Sequence, residues 1–580
     1  MVWIKTNRGS VVDPKIVDVM KISLGSLLSL LLLFSLFVNA QEKSKLTHIP
    51  SPEERARWHE IGKDFVPTEA PTAPVRNIAE FEPTEAILVR YPFGIPVTLI
   101  KEIADDCKVI TVVQNATQED NVRTEYTSNG VNLEHCEFIH ANSDSYWTRD
   151  YGPWFIADGN DEVGIVNFTY NRPRPNDNQI PIHVAAHLGV SYYNMNLAHT
   201  GGNYMCDGYG NAASTDLIWE ENPSLSHQDI DDLMMEYLGI EQYHVTSDPL
   251  GDYIKHIDCW GKYLAPDKIM IGQVPETDYR YEDFEAVAEY FANTDSPYGE
   301  PYRVYRVYTP GGSPATPYTN CLIVNRKVFI PMSGSQWDDD AIATYEAAMP
   351  GYEIIGVSFG SWENTDALHC RTHEIADREM LYLHHLPVVG VQPLQGGYEV
   401  AVDITSYGDH EVYADSVYAV YRTNGGAWDT LAMVFQGDRR YAVTLPVGEE
   451  GTKVEYFIHA ADMSGRSEEH PYIGASDPHK FYAGDPVGIG SHEIFEGGVL
   501  CYPNPAHEMV NIAFMLDASS TVSVVLSNPL GEVVQSPVKA HYSAGRHNLR
   551  FFVGDLPSGI YCYTLTSGTH TLSGKFVLSH

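Results

Sequence analysis

The chain has 580 residues, 43% of them hydrophobic and 20% charged, which argues against global disorder and makes room for three or four domains. A formal net charge of −40 repels nucleic acid and argues against a nucleic-acid role; it favours cationic ligands, guanidinium groups among them, although acidity also serves solubility alone. The eight cysteines lack CxxC spacing, which argues against a zinc site or a dense disulfide scaffold.

In chain order, Lys21 precedes an apolar run from Leu24 to Val38, and Val38-Asn39-Ala40 forms a small-residue exit before Gln41. That order predicts a signal peptide over 1–40, with Met20 an alternative start. The run is short for a membrane span of about 20 residues. No other segment is apolar enough, so the mature chain is expected to be secreted without a transmembrane segment. Residues 41–75 are polar and dotted with proline, and read as a flexible lead or propeptide.

Residues 76–386 alternate strand-like and helix-like runs, which predicts an α/β domain. Ala86–Tyr91, Val109–Val113, Ile269–Gly272, Cys321–Asn325 and Val328–Pro331 read as strands, and Gln228–Leu238 and Asp339–Met349 as helices. After Pro387 the pattern changes. Tyr398–Ile404 and Lys453–Ala461 alternate, and Thr423-Asn424-Gly425-Gly426 joins Val417–Arg422 to Trp428–Val434 as a hairpin. These features predict an Ig-like β-sandwich over 387–483. A glycine-rich linker over 484–498 leads to a second β module, 499–580. Its phrases Tyr502-Pro503-Asn504-Pro505, Asn528-Pro529-Leu530-Gly531-Glu532 and Leu556-Pro557-Ser558-Gly559-Ile560-Tyr561 resemble the C-terminal sorting domain of type IX secretion. The resemblance implies the type IX machinery as a partner and export across the outer membrane of a Gram-negative bacterium. The destinations it implies are the cell surface, outer membrane vesicles or the medium.

Three islands carry chemistry: Trp147–Trp154 (WTRDYGPW), His256–Trp260 (HIDCW) and Asp366–Glu374 (DALHCRTHE). A guanidinium carbon is a poor electrophile, so cleaving it needs a strong nucleophile such as a thiolate. It also needs a group that protonates departing ammonia and then activates water, and carboxylates that hold the planar cation. Cys370 supplies the nucleophile, His256 the acid and base, and Asp150 and Asp258 the carboxylates, with Trp147 along the substrate's aliphatic stem. The i, i+2 spacing of His256 and Asp258 predicts that both project from one face of an extended strand. Each motif alone has a bland reading: a buried cysteine, a surface His-x-Asp, an Arg149–Asp150 ion pair packed by an aromatic.

Together the islands resemble the guanidine-modifying (pentein) superfamily, and within it the Porphyromonas-type peptidylarginine deiminase family; Trp147–Pro153 and His256–Asp258 also resemble agmatine deiminase. The resemblance implies a five-bladed α/β propeller with a central funnel. It implies Cys370 as nucleophile, His256 as acid then base, Asp150 and Asp258 on the guanidinium, and Asn320 as a supporting catalytic residue. Trp147 and Thr365 match substrate-contacting positions, and Tyr253 is assigned to the lining of the site. Arg172 and Arg174 in Asn171-Arg172-Pro173-Arg174-Pro175 repel each other unless they share an anion; the resemblance implies the carboxylate of a C-terminal arginine. The bland reading is a solvated loop. Cys259 and Cys321, taken to lie on strands, read as structural, and His369 and His373 carry no assignment. No segment reads as an EF-hand loop, so catalysis is expected without calcium or an organic cofactor, and a structural ion stays open.

The reading is therefore a secreted hydrolase acting on peptides and proteins that bear arginine, above all C-terminal arginine, and yielding citrulline and ammonia through a covalent cysteine thiouronium. Two alternatives stand beside it. One is an agmatine or free-arginine deiminase, or an amidinotransferase, on the same fold; the other is a non-catalytic surface adhesin.

Overall fold

The computed structural model describes residues 48–484 and, apart from short gaps, 499–579. The expected signal peptide and the expected 484–498 linker, save Gly484, lie outside the described residues. Residues up to Ala56 form a unit of their own, whose described part, residues 48–56, contains the short helix Pro52–Ala56.

From Arg76 to Ala376 the chain builds five sheets on one plan: an antiparallel pair, a helical crossover, then a strand parallel to the second member of the pair. In the fourth sheet Gly261–Ala265 pairs antiparallel with Lys268–Gln273, the helix Tyr281–Ala292 crosses over, and Arg303–Tyr308 returns parallel. The fifth repeats this with Leu322–Val324, Lys327–Met332, the helix Asp338–Ala348 and Glu353–Ser358. Trp154–Ala157, Val163–Tyr170 and Ser191–His199 form the second, and Met205–Cys206, Asn211–Thr215 and Gln242–Thr246 the third. The first sheet holds Thr84–Arg90, Lys108–Val113 and Cys136–His140 in parallel, and its antiparallel member is the last strand of the region, His373–Ala376. The run of five units thus starts and finishes in the same sheet.

Burial explains the strand sequences. Val163–Tyr170 and Lys268–Gln273 are buried at every position, which is why residues 163–166 and 269–272 carry no polar alternation. Local signals set the helix ends. Ser226 accepts the Asp229 N–H at 3.1 Å while the Asp229 carboxylate accepts the Ser226 N–H at 2.8 Å, a capping box that opens His227–Leu238. Gly239 closes the same helix at φ 67°, and a Cβ there would meet the Val75 carbonyl oxygen at 1.8 Å. Thr68, in the stretch expected to be a flexible lead, is pinned instead: its N–H donates to Asn194 O at 3.1 Å and its carbonyl accepts the Tyr237 hydroxyl at 2.6 Å.

The β-sandwich begins earlier than the composition break at Pro387, because Leu381–His384 already pairs with Tyr398–Ser406. One sheet also contains Val434–Gly437 and Arg440–Leu445. The other contains Gly390–Gln392, Tyr418–Thr423, Asp429–Ala432, Thr452–Ala461, Ser467–His470 and His479–Ala483. Their inner faces share one core around Val400, Val402, Tyr456 and Phe481. The hairpin turns at Asn424 and Gly425, both at positive φ (49° and 70°), as a tight turn between twisted strands requires. Residues 500–578 form two further antiparallel sheets over a core that includes Val522, Leu565 and Phe576. Among the described residues no helix is long and apolar enough to cross a membrane.

Candidate active site

All three sequence islands fold as short helical turns. Trp147 leads into the turn Thr148–Tyr151, His256 into Ile257–Cys259, and Cys370 sits inside His369–Arg371. The strand expected to carry His256 and Asp258 on one face does not form. Only His256 is extended (φ −87°, ψ 130°); the Cys259 N–H then donates to His256 O at 3.2 Å and the Trp260 N–H to Ile257 O at 3.1 Å. The strand starts at Gly261. An alternation argument cannot apply across a three-residue turn, so these side chains converge through packing of turns and not through strand period.

The turns nevertheless bring the expected residues together. The Asn320 side-chain amide donates to Cys370 Sγ at 3.2 Å, and its oxygen accepts the Cys370 N–H at 3.3 Å. Cys370 Sγ lies 3.6 Å from Asp258 Oδ2, and His256 Nδ1 lies 3.6 Å from Asp150 Oδ1. Cys370, Asp258, Asn320 and His256 are each at most 2% exposed. Cys259 departs from its structural reading. Because it belongs to the turn, its Sγ points at Asp258 Oδ1 (3.4 Å) and lies within 4.8 Å of Cys370 Sγ. Arg149 is not paired with Asp150 but forms a fork with Glu374.

Behind the carboxylate runs a buried network that the sequence reading left out. Asp258 Oδ2 meets His369 Nδ1 at 2.7 Å, and His369 Nε2 meets Glu80 Oε2 at 2.8 Å. Lys262 Nζ reaches both Glu80 oxygens at 2.8 Å and the Cys321 carbonyl at 2.7 Å. Burial works against the Asp258 charge, but the His369 hydrogen bond and the nearby His256 and Lys262 charges hold its carboxyl below the usual range. Glu80 is held well below its own range against the same burial by Lys262, His369 and Arg149. Asp150 goes the other way: burial, and then the Asp258 charge, push it well above the usual range despite Arg172 and Arg174. For Cys370 the Cys259 contact favours the thiolate, yet burial and the fields of Asp258, Asp366 and Asp150 outweigh it and push the thiol up to about 11.

The remaining expected residues lie around this centre. The Arg174 guanidinium stacks 4.7 Å over the Trp147 ring, and Arg174 is 5% exposed. Arg172 lies 5.8 Å over the Tyr253 ring, which is 44% exposed, so this pair faces solvent while Arg174 does not. Thr365 takes part through its backbone, accepting from Cys259 Sγ at 3.7 Å. His373 is structural: its Nε2 meets the Pro153 carbonyl at 2.6 Å.

A further residue, Gly202 in the turn Gly201–Asn203, has no side chain and no chemistry, yet the site depends on it. A Cβ there would lie 2.5 Å from His256 Nδ1 and 2.7 Å from Asp150 Oδ1, inside both contacts. The Gly201-Gly202 pair was the available signal. His369 could have been found as the neighbour of Cys370; Glu80, 289 residues away from it, had no signal at all.

A cavity of about 1460 Å³ elsewhere in the chain, lined by Tyr302, Arg303 and Tyr305 among others, includes none of these residues, so size does not locate the site. Buried charge does: a cysteine, a histidine and opposed carboxylates with divergent titration are the parts of a nucleophilic acid–base centre. Among the described residues, the one group of three close metal-ligating side chains is Asp258, Cys259 and Cys370.

Comparison with known proteins places two parts of the chain in described families. Residues 78–375, just over half of the chain, match the family described as Porphyromonas-type peptidyl-arginine deiminase, and residues 500–579 match the secretion system C-terminal sorting domain. A candidate agmatine deiminase of Shewanella sp. (strain W3-18-1) is 26% identical over 264 residues, covering 38% of this chain and 71% of that protein. Another, from Mycoplasma capricolum, is 24% identical over 287 residues, covering 42% and 76%. Among solved structures, the agmatine deiminase of Enterococcus faecalis is 20% identical with a TM-score of 0.47, covering 53% of this chain and 98% of that one.

Proposed function

The chain belongs to the Porphyromonas-type peptidyl-arginine deiminase family, a hydrolase of C–N bonds in amidines, and from that premise we propose that it converts peptidyl-arginine, C-terminal arginine above all, to citrulline and ammonia. The observation that carries this reading is the buried contact set of Cys370 with Asn320 and Asp258, beside the His256–Asp150 pair. The sorting domain indicates export to the cell surface or beyond, where peptides with free C-terminal arginine are within reach.

In this reading Asp150 and Asp258 hold the guanidinium with its carbon next to Cys370 Sγ. At rest the fields of those carboxylates help keep the cysteine protonated. An arriving cation offsets them, so the substrate itself lowers the cost of forming the thiolate. The Cys370 proton passes to His256, the sulfur–carbon bond forms, and a tetrahedral adduct results. His256 returns the proton to one amino group, the C–N bond breaks, and ammonia leaves a thiouronium on Cys370. Water, giving a proton to His256, attacks the same carbon; the C–S bond breaks and citrulline departs. Positioning and the two carboxylates supply most of the acceleration. Arg172 and Arg174 bind the substrate's carboxylate, and the Trp147–Arg174 stack lines its stem. The five sheet units close as blades of a propeller around this centre, the Ig-like sandwich braces it, and the type IX machinery carries the chain across an outer membrane.

The test is citrulline release from two matched peptides with calcium chelated, one ending in free arginine and one carrying the same arginine internal and amidated. Turnover of the first and little of the second supports the reading. Equal rates would remove the carboxylate role of Arg172 and Arg174. Turnover of agmatine alone would shift the substrate to the small amine named in the relatives above.

A further inference from the structure

Cys259 is the group in this centre that the proposed reaction does not use. Its thiol and that of Cys370 point at the two oxygens of one carboxylate, Cys259 Sγ to Asp258 Oδ1 at 3.4 Å and Cys370 Sγ to Asp258 Oδ2 at 3.6 Å. One ligating atom from each of the three residues falls within 4.8 Å of the other two. A tetrahedral zinc ion with bonds of about 2.3 Å to sulfur and about 2.1 Å to oxygen sets its ligands about 3.6 Å apart for sulfur and oxygen, and about 3.8 Å for two sulfurs. Each sulfur already stands at that distance from one Asp258 oxygen, and the separation of the second sulfur from whichever oxygen binds the ion is at most 4.8 Å. The sulfurs need to close by at most about 1 Å to reach the same geometry. The donors are two sulfurs and one oxygen, which select soft cations such as zinc over calcium or magnesium. The cysteines that looked too scattered for a zinc site in the sequence are brought together by two turns.

We propose that Asp258, Cys259 and Cys370 form an inhibitory site for a zinc-type divalent cation, which binds across the nucleophile and masks it. The inference rests on the function proposed above for its effect on turnover, but not for the binding itself. On binding, both thiols lose their protons, two metal–sulfur bonds and one metal–oxygen bond form, and two protons are released with no change in oxidation state. The bound ion removes the free electron pair of Cys370 and the Asp258 charge that would hold the substrate. Removal of the ion by a chelator restores both, so enzyme delivered outside the cell would be held silent wherever zinc is plentiful.

The experiment uses the full chain and two probes, zinc ion for turnover and cobalt(II) as its coloured stand-in. Cobalt should give a thiolate-to-metal absorption band that saturates at one ion per chain and is lost in both Cys259→Ala and Cys370→Ala. Zinc should stop citrulline release and a chelator should restore it, while calcium should do neither. In Cys259→Ala, the zinc concentration that halves that variant's own rate should rise at least tenfold. A Cys259→Ser protein serves in the same way if the alanine variant does not fold. Equal zinc sensitivity in wild type and the Cys259 variant, or a cobalt band that survives either substitution, would overturn the proposal. A cysteine-dependent cobalt band in a chain that releases no citrulline from any substrate would keep the metal site and sink the deiminase reading instead.

Discussion

Gly202→Ala places one methyl group where the structure has none to spare. The new Cβ would sit 2.5 Å from His256 Nδ1 and 2.7 Å from Asp150 Oδ1, whereas an ordinary contact needs about 3.5 Å. Both side chains are nearly buried, so the turn or the pair must yield by about 1 Å. Overpacking of this kind costs about 1–3 kcal/mol of stability. Misplacing reacting groups by about 1 Å costs on the order of 100-fold in rate, equivalent to about 2.7 kcal/mol of barrier. Gly202→Ala should therefore lose on the order of 100-fold in kcat/KM while losing only a few degrees in melting temperature. The control is Gly189→Ala, at the end of the helix Ile180–Leu188, where φ is 71° and no atom lies within 4 Å of the new Cβ. It should lose about 1 kcal/mol of stability through the backbone and keep its activity. The assay is citrulline release against peptide concentration, beside a thermal melt of each protein. Wild-type kcat/KM in folded Gly202→Ala would refute the reasoning, because it would mean that the spacing of His256 and Asp150 does not limit the reaction.

Other consequences can be checked with the same assays. Cys370→Ala should fold and melt like the parent and release no citrulline; measurable turnover would remove the nucleophile assignment. With the free thiol pushed up to about 11 and its proton passing to His256 within the reaction, kcat/KM should change little from pH 7 to 9; a rise of about tenfold per pH unit would show that Cys370 must ionise before the substrate binds. Asp150 sits above its unfolded value of about 3.9, so folding takes up a proton there and stability is lost as pH rises through the folded pKa. Asp150→Asn should accordingly be more stable than wild type by about 1–2 kcal/mol at pH 7, with the gap closing towards pH 4, while activity collapses. Lys262→Met strips Glu80 of its forked partner and should cost about 3–5 kcal/mol in denaturant melts; a neutral result would show that Arg149 and His369 suffice.

Much of this centre was legible from residue chemistry. Cys370, His256, Asp150 and Asp258 converge as their types and order suggested, and Asn320, which the resemblance alone implied, joins them. The route to that convergence was not legible. Periodicity assigns side chains to faces only within a regular element, and His256–Cys259 and His369–Arg371 are turns, so the face assigned to Cys259 was wrong. Long buried runs such as Lys268–Gln273 announced themselves, as did the Asn424-Gly425 turn. Edge strands as short as Arg76–Asn77 and Met205–Cys206 did not, since pairing partners and not local preference create them. Glu80 and Lys262 lie in no motif of the sequence. Only the fold, by burying them against His369, gives them a task.

The strand His373–Ala376 starts three residues beyond Cys370 and pairs with Thr84–Arg90, the first long strand of the region. Glu80, just before that strand, bonds the histidine next to Cys370. The network behind Asp258 therefore joins the two ends of a stretch of about 300 residues, and contacts so distant in sequence form slowly during folding. A chain that has not yet zipped its final strand into the first sheet has a cysteine but no enzyme. The contact between Glu80 and His369 thus reports that His373–Ala376 has paired with Thr84–Arg90.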